Sequence, residues 1–224
     1  MDKLSKIANY SMEQLSLDRS GHGADHTKRV VELARQILET EPQADSFITI
    51  ASAYLHDTID DKVVEDEEQA KAHLKGFLTS IELTESEIQH IFHIIENMSF
   101  SKGLSGQVDL SLEGKIVQDA DRLEALGAIG ILRTAYYGGF HGHPIFDPAI
   151  QPINYTKKQD YRKGSTVINH FYEKLLLLSD QMNTRYAKQE AKRREAFMRD
   201  FLKEFYEEWF VGTDSSDSQT WRDR

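Results

Sequence analysis

Four polar side chains, each predicted to lie on the inner side or at the inner end of a helix, form a candidate set of metal ligands. They are His26, His56, Asp57 and Asp121. Two imidazoles and two carboxylates make a donor set of intermediate hardness, which suits divalent manganese, magnesium, iron, cobalt or nickel with water in the open positions. It differs from the closed, sulfur-rich set of a structural zinc site. The set therefore points to a hydrolase that uses a divalent metal ion.

Taken one at a time, these residues also fit purely structural roles. A lone histidine on the buried face of a helix, such as His26, is more often a core residue than a ligand. Asp57 could cap the segment that follows it, and Asp121 could form an ion-pair cluster with Arg122. His56 and Asp57 come directly after an apolar run, however, and burying both groups requires a compensating charge. A metal ion supplies that charge.

Apolar residues recur at helical spacing along almost the whole chain, and this pattern predicts an all-α fold. We expect helices at about 24–40, from 44 or 45 to 57, from 60–68 through 77, and at about 110–122, 125–136 and 165–178. Thr84 and Glu87 have the spacing of a capping box at the start of another helix. Asn183 and Thr184 cap a long last helix.

Two stretches break the helical pattern. Residues 138–163 hold three of the four prolines and several glycines, which predicts a long loop that is functional or mobile. Residues 212–224 are polar, and we expect a disordered tail there. The remaining 1–211 form one helical domain in this interpretation. Phe197, Phe201, Phe205 and Trp209 recur every four residues, which indicates core or dimer packing.

Composition restricts the classes of partner. The net charge of −10 argues against nucleic acid as a partner, because no basic stripe is present to displace counterions. The absence of cysteine excludes disulfides, thiolate metal sites and cysteine nucleophiles. No apolar run is long enough for a membrane span, so we expect a cytoplasmic protein without a membrane partner.

The order His, His-Asp, Asp on a helical chain resembles the HD-domain phosphohydrolase superfamily. The motifs GHGADHTKRV (21–30), LHDTIDDK (55–62), IIENMSF (94–100) and QDADRLEALGAIGI (118–131) are similar to those of its YpgQ/YedJ-type members. The resemblance extends from about Ile7 to Trp209. It implies an HD-type helical bundle that cleaves nucleoside triphosphates, including deoxynucleotides, to the monophosphate and pyrophosphate. It assigns the four ligand roles to His26, His56, Asp57 and Asp121.

Asp60 and Asp61 follow the His-Asp pair and are the candidate catalytic residues. They resemble the acidic pair that activates water in hydrolase domains acting on the alarmone (p)ppGpp. One turn beyond the ligands, they have the reach to hydrogen-bond a nucleophilic water. The alternative is that they open the next helix, where its dipole favours acids. His22 and Asp25, beside the first ligand, could orient His26 through its second nitrogen.

Three residues are candidates for binding the substrate. Lys62 and Arg122 would contact phosphate, whereas Asn97 would donate a hydrogen bond to the substrate. Each also has an ordinary role: Lys62 as a surface charge, Arg122 as a partner of Asp119, and Asn97 as a helix C-cap.

The expected cofactor is one divalent ion, Mn²⁺ first, with Mg²⁺, Ni²⁺, Co²⁺ and Fe²⁺ as alternatives. The expected partner is a small nucleotide, and a homodimer through the last helix is conceivable. A phosphodiesterase or a 5′-nucleotidase would keep the same metal site. A non-catalytic nucleotide sensor belongs to another class, and it would tolerate the loss of Asp60 and Asp61.

Overall fold

The computed structural model describes residues 2–16, 23–60, 63–100, 108–153, 165–212 and 219–221. Within these ranges the fold is all-α, as the sequence predicts, and contains no strand. The helices are α1 (Lys3–Leu15), α2 (Ala24–Leu38), α3 (Ser46–Leu55), α4 (Glu67–Ser80), α5 (Glu85–Asn97), α6 (Leu112–Glu124), α7 (Gly127–Phe140), α8 (Val167–His170), a π-helix (Phe171–Leu175), α9 (Leu176–Leu178), a 3-10 turn (Ser179–Gln181) and α10 (Arg185–Trp209).

Polar caps set the first residue of several helices, because the first backbone amides of a helix lack partners within it. The capping box of α5 is confirmed: Thr84 Oγ1 accepts from the amide of Glu87, and the Glu87 carboxylate accepts from the amide of Thr84 at 2.7 Å. Thr184 caps α10 by accepting from the amide of Ala187. Asp45 caps α3 by accepting from the amide of Ile48.

Helix α3 runs through the core, and its inner end carries the candidate ligand pair. It packs against α1, α2, α5 and α6, and apolar residues such as Ile50 and Ala53 are fully enclosed. The helix stops at Leu55, whose carbonyl accepts hydrogen bonds from both the amide and the hydroxyl of Thr58. This turn leaves His56 and Asp57 buried inside the molecule.

A tight connection joins α6 to α7 and returns the chain toward the same region. Gly127 has a φ of +76°, a conformation that favours glycine over other residues. A Cβ on Gly130 would overlap the carbonyl of Ala125, so the second glycine permits the close approach of the two helices. As a result, Arg133 of α7 contacts Glu124 at the end of α6.

Several predicted boundaries need correction. Helix α4 begins at Glu67, within the expected 60–68 stretch and capped by Asp66, but it continues to Ser80, three residues beyond the expected end at 77. Helix α7 continues through Phe140, so the loop expected from 138 begins three residues later. Residues 143–153 of that loop lie against the start of α8, where the amides of Val167 and Ile168 donate to the carbonyls of 144 and 145. Residues 154–164 lie outside the described ranges.

The aromatic stripe of α10 is only partly in the core. Phe201 and Phe205 pack against other rings, whereas Phe197 and Trp209 are 50% and 46% exposed. Trp221 lies within the stretch that we expected to be disordered. It is buried against Phe146, so that expectation is wrong for this residue. The homodimer stays a prediction. In the described ranges, no helix is both long and apolar enough to cross a membrane.

Candidate metal centre

The four predicted ligands lie together where α2, α3 and α6 meet. His26 projects from the first turn of α2 and is 1% exposed. Its Nε2 lies 3.2 Å from Nε2 of His56, which follows the last residue of α3. The two histidines are 30 residues apart in sequence, and their Nε2 atoms converge on one place.

A backbone contact fixes the orientation of the second imidazole. His56 Nδ1 lies 2.9 Å from the carbonyl oxygen of Ala53, an atom that can only accept. Nδ1 must therefore carry the hydrogen when this bond forms, which leaves Nε2 free to act as a ligand. The end of α3 thus supplies both the imidazole and the group that orients it.

Two carboxylates complete the cluster. Asp57 Oδ2 lies 3.4 Å from His26 Nε2 and 3.2 Å from His56 Nε2. Asp121 Oδ1 lies further out, at 3.5 Å and 3.8 Å from the same two nitrogens, and its side chain is 35% exposed. Neighbouring ligands of an octahedral ion with bonds of about 2.1 Å are about 3 Å apart. The donor types and their separations therefore fit one divalent metal ion, with His26, His56 and Asp57 forming the tightest group.

The carboxylates control the charge of His56 in the metal-free protein. Burial alone would lower the pKa of His56, but the adjacent Asp57 and Asp121 outweigh burial and raise that pKa to about 9. The same pairing has the opposite effect on the pKa of Asp121. Burial opposes its ionisation, yet the charges of His56 and His26 hold the pKa of Asp121 below its usual value. The cluster therefore holds positive and negative charges side by side, and a bound metal ion would change how they are paired.

Asp60 is the candidate catalytic residue that the structure describes at this site. It lines a cavity of about 80 Å³ together with His56, Asp57 and Asp121, which we call the metal cavity. The other predicted residues of this segment, Asp61 and Lys62, lie outside the described ranges.

The structure separates the two described substrate-binding candidates. Arg122 lines the metal cavity, and one of its terminal nitrogens donates to the carbonyl of Gln181. Burial lowers the pKa of its guanidinium, although the Asp119 and Asp121 charges work against that change. Asn97 is not among the described residues that line this cavity. Its side-chain amide donates to the carbonyl of His93 within its own helix.

Asp119 has a different partner from the one suggested by sequence. Its carboxylate accepts from the amides of Asn183 and Thr184 and from the Thr184 hydroxyl, at distances of 2.7–3.1 Å. Asp119 therefore links α6 to the start of α10. Its hydrogen-bond partners are Asn183 and Thr184 rather than Arg122. Burial is the largest influence on Asp119 and raises its pKa despite these bonds.

Glu124 takes the place that we considered for Asp25. Asp25 pairs with Arg29 at 3.0 Å and is 77% exposed. Glu124 Oε2, by contrast, lies 2.9 Å from His26 Nδ1, the nitrogen opposite the metal-facing one. The sequence contained a signal for this contact, because Glu124 follows Asp121 by three residues and so shares its helix face.

Two cationic residues of the metal cavity were missed by sequence reasoning. Arg133 from α7 and Lys174 from the π-helix both line it. The Lys174 ammonium also lies 5.4 Å from the centre of the Phe100 ring. Nothing in the local sequence distinguishes either residue from a surface charge, since both depend on how α7 and the 167–178 segment fold back.

A larger cavity of about 580 Å³ lies on the far side of Glu124 and Arg29. We call it the rear cavity. Its walls include four apolar side chains, those of Leu33, Leu126, Ile129 and Phe197. None of the four metal-ligand candidates lines it.

Comparison with known proteins places this geometry in a family. The HD domain model matches residues 23–126, which contain all four ligand candidates. YpgQ of Bacillus subtilis (strain 168) is 34% identical over 205 residues, covering 91% of this chain and 92% of YpgQ. The structure of YpgQ with ADP has a TM-score of 0.73 at 32% identity, covering 95% of this chain and 100% of that one.

Two further solved structures are similar over nearly the whole chain. One, from Lactobacillus plantarum, has a TM-score of 0.85 at 45% identity and covers 92% of this chain and 96% of its own. The other is an HD-superfamily hydrolase from Bacillus thuringiensis, with a TM-score of 0.72 at 40% identity. It covers 93% of this chain and 97% of its own.

Proposed function

Because this chain belongs to the HD-domain superfamily of hydrolases, we propose that it cleaves nucleoside triphosphates, including deoxynucleotides, to the monophosphate and pyrophosphate. The convergence of two imidazole nitrogens and two carboxylates on one point beside Asp60 is the observation that carries this proposal. We expect one divalent ion there, Mn²⁺ first, held by His26, His56, Asp57 and Asp121.

Asp60 is the group proposed to prepare the nucleophile. When bound, a divalent ion would lower the pKa of water and offset negative charge on a phosphate. The Asp60 carboxylate lies on the wall of the same cavity, where it can accept a hydrogen bond from the attacking water and orient it. Asp61 is proposed to assist in this role.

Cationic residues that line the same cavity are proposed to bind the phosphates. Arg122, Arg133 and Lys174 bring three positive charges to a cavity whose ligands carry two carboxylates. A triphosphate is strongly anionic, and the chain as a whole has a net charge of −10. A local cationic wall is therefore what such a substrate requires. Lys62 and Asn97 stay further candidates for contacts to the substrate.

Two observations favour a nucleotide over a simple phosphate. The metal cavity also has apolar walls, formed by Ile95, Met98, Phe100 and Leu178, which suit the flat base of a nucleotide. The relative YpgQ has been crystallised in complex with ADP. An aromatic ring such as Phe100 offers a stacking surface to any base.

Product analysis in isotopically labelled water tests the proposal. Metal-stripped protein is supplied with Mn²⁺ and dATP in H₂¹⁸O, and the products are identified by mass spectrometry. We expect dAMP and pyrophosphate, with ¹⁸O in one product only. Label in dAMP means attack at the α-phosphorus, and label in pyrophosphate means attack at the β-phosphorus.

Other products would support the alternatives. Release of orthophosphate alone would contradict pyrophosphate release while keeping a hydrolase. Turnover of dAMP or of a cyclic nucleotide, with none of dATP, would favour a 5′-nucleotidase or a phosphodiesterase. Tight nucleotide binding without turnover, with the metal bound, would favour a sensor.

A further inference from the structure

Glu124 is a buried carboxylate with no part in the chemistry described so far. It ends α6, and its side chain is only 2% exposed. A buried carboxylate is unfavourable unless its oxygens are paired, so its partners indicate why it is there. One oxygen contacts a ligand candidate and a residue of the metal cavity, and the other contacts Arg29, which lines the rear cavity.

The contacts divide between the two oxygens. Oε2 lies 2.9 Å from His26 Nδ1 and also contacts the Arg133 guanidinium. Oε1 accepts from Nε of Arg29 at 2.8 Å. One carboxylate therefore holds a metal-ligand candidate from α2 and a phosphate-binding candidate from α7.

The position of Glu124 on α6 links these partners to a third element of the site. Asp121 precedes it by three residues, so both carboxylates lie on one face of the helix. Any shift of α6 would displace the Asp121 ligand and the His26 support together. The same face thus fixes two of the four ligand candidates relative to each other.

We propose that Glu124 is a positioning residue that aligns His26 for the metal ion and Arg133 for the phosphates. Its carboxylate, 2.9 Å from Nδ1 of His26, favours hydrogen on that nitrogen, which leaves Nε2 as the ligand atom. A ligand held in this way loses less freedom when the ion binds, which is why supporting groups of this kind typically change metal affinity by about 10–100-fold.

The surroundings allow Glu124 to be replaced without trapping an isolated charge. The side chains of Arg29 and Arg133 are 37% and 20% exposed, so both can turn toward water. Asp25 provides the matched control, because it is a carboxylate that pairs with the same Arg29 and its hydrogen bond with His26 is to the backbone.

The test compares Mn²⁺ affinity, measured by EPR, among the natural protein, Glu124→Ala, Glu124→Gln and Asp25→Asn. We expect Glu124→Ala to weaken Mn²⁺ binding by about 10–100-fold. Glu124→Gln keeps an acceptor oxygen and should fall in between, and Asp25→Asn should change affinity less than about 2-fold. Glu124→Ala should also remove the His26 Nδ1–H signal from ¹H–¹⁵N spectra of the Zn²⁺-loaded protein, which a merely structural role would leave in place.

The inference rests on the proposed function only in taking the bound ion as a divalent metal. Equal Mn²⁺ affinity and an unchanged Nδ1–H signal in folded Glu124→Ala would overturn it while leaving the proposed function intact. If that variant does not fold, Glu124→Gln decides, and affinity equal to that of Asp25→Asn would overturn the inference. Failure of the natural protein to bind Mn²⁺ would overturn both.

Discussion

The metal cavity and the rear cavity lie on two sides of the residues that Glu124 contacts. They differ in size, but the chemistry of their walls is the more informative difference. Arg133 lines the first and Arg29 the second, and Glu124 binds both. The rear cavity has a volume of about 580 Å³ and the metal cavity about 80 Å³, yet three of the four ligand candidates line the smaller cavity and none lines the larger one. Convergent polar groups, rather than volume, identify the functional site here.

The substitution with the largest expected effect removes a ligand from the metal cavity. Asp57→Ala should abolish turnover and lower Mn²⁺ affinity by more than roughly 100-fold, the upper range for groups that only support a ligand. Helical content should be retained, because α3 already ends at Leu55. Calorimetric titration and circular dichroism check both statements. Turnover that survives this change would contradict the site.

Asp60→Asn separates the chemical step from metal binding. The amide keeps the shape of Asp60 but accepts a proton poorly, so turnover should fall by about 10²–10⁴-fold. Mn²⁺ affinity should stay within about 3-fold, since Asp60 is not one of the ligands. Steady-state assays at saturating Mn²⁺ measure the first quantity. A loss of metal with no separate loss of rate would show that Asp60 belongs to the ligand set.

Metal binding should depend on pH through His56. Its pKa is raised to about 9, so below that pH the ion must displace one proton. Mn²⁺ affinity should therefore rise by about tenfold per pH unit between pH 6 and 8. In the metal-free protein, the contribution of His56 to folding stability has the opposite pH dependence. It is complete below the ordinary histidine pKa of 6.5 and is lost as the pH rises through about 9. Titrations and thermal melts in EDTA measure these slopes, and a flat affinity would contradict the charge state of His56.

Arg133→Gln tests the cationic wall of the metal cavity. Losing a charged hydrogen bond to phosphate costs about 1.5–3 kcal/mol, so KM should rise by roughly 10-fold or more. The value of kcat should change less if Arg133 binds the substrate and the transition state equally. Rate measurements over a range of dATP concentrations separate the two. An unchanged KM would remove Arg133 from the substrate site.

Phe197→Ala is the matched change in the rear cavity and should have the smallest effect. Phe197 is 50% exposed and lines the rear cavity rather than the metal cavity, so turnover should stay within about 2-fold. Stability should change by about 1 kcal/mol or less. A large loss of turnover would show that the rear cavity takes part in the reaction.

Two of the proposed ligands, His56 and Asp57, were predicted from a local signal. His56 and Asp57 end an apolar run, and the structure leaves them at the inner end of α3. The all-α fold and the capping box at Thr84 followed equally from spacing within single helices. These features depend on periodicity and caps, which a sequence displays directly.

The second layer of the site depends on tertiary contacts and could not be predicted in this way. Glu124 contacts His26 across 98 positions of the chain, and Asp25 was the more obvious neighbour in sequence. Arg133 reaches the site only because glycines 127 and 130 allow a tight turn between α6 and α7.

Anomalous diffraction at the manganese absorption edge, on crystals soaked in Mn²⁺, tests the central claim most directly. We predict one strong peak at about 2.0–2.3 Å from His26 Nε2, His56 Nε2, Asp57 Oδ2 and an oxygen of Asp121. A peak elsewhere, or no peak between these four side chains, would contradict the metal-dependent hydrolase account.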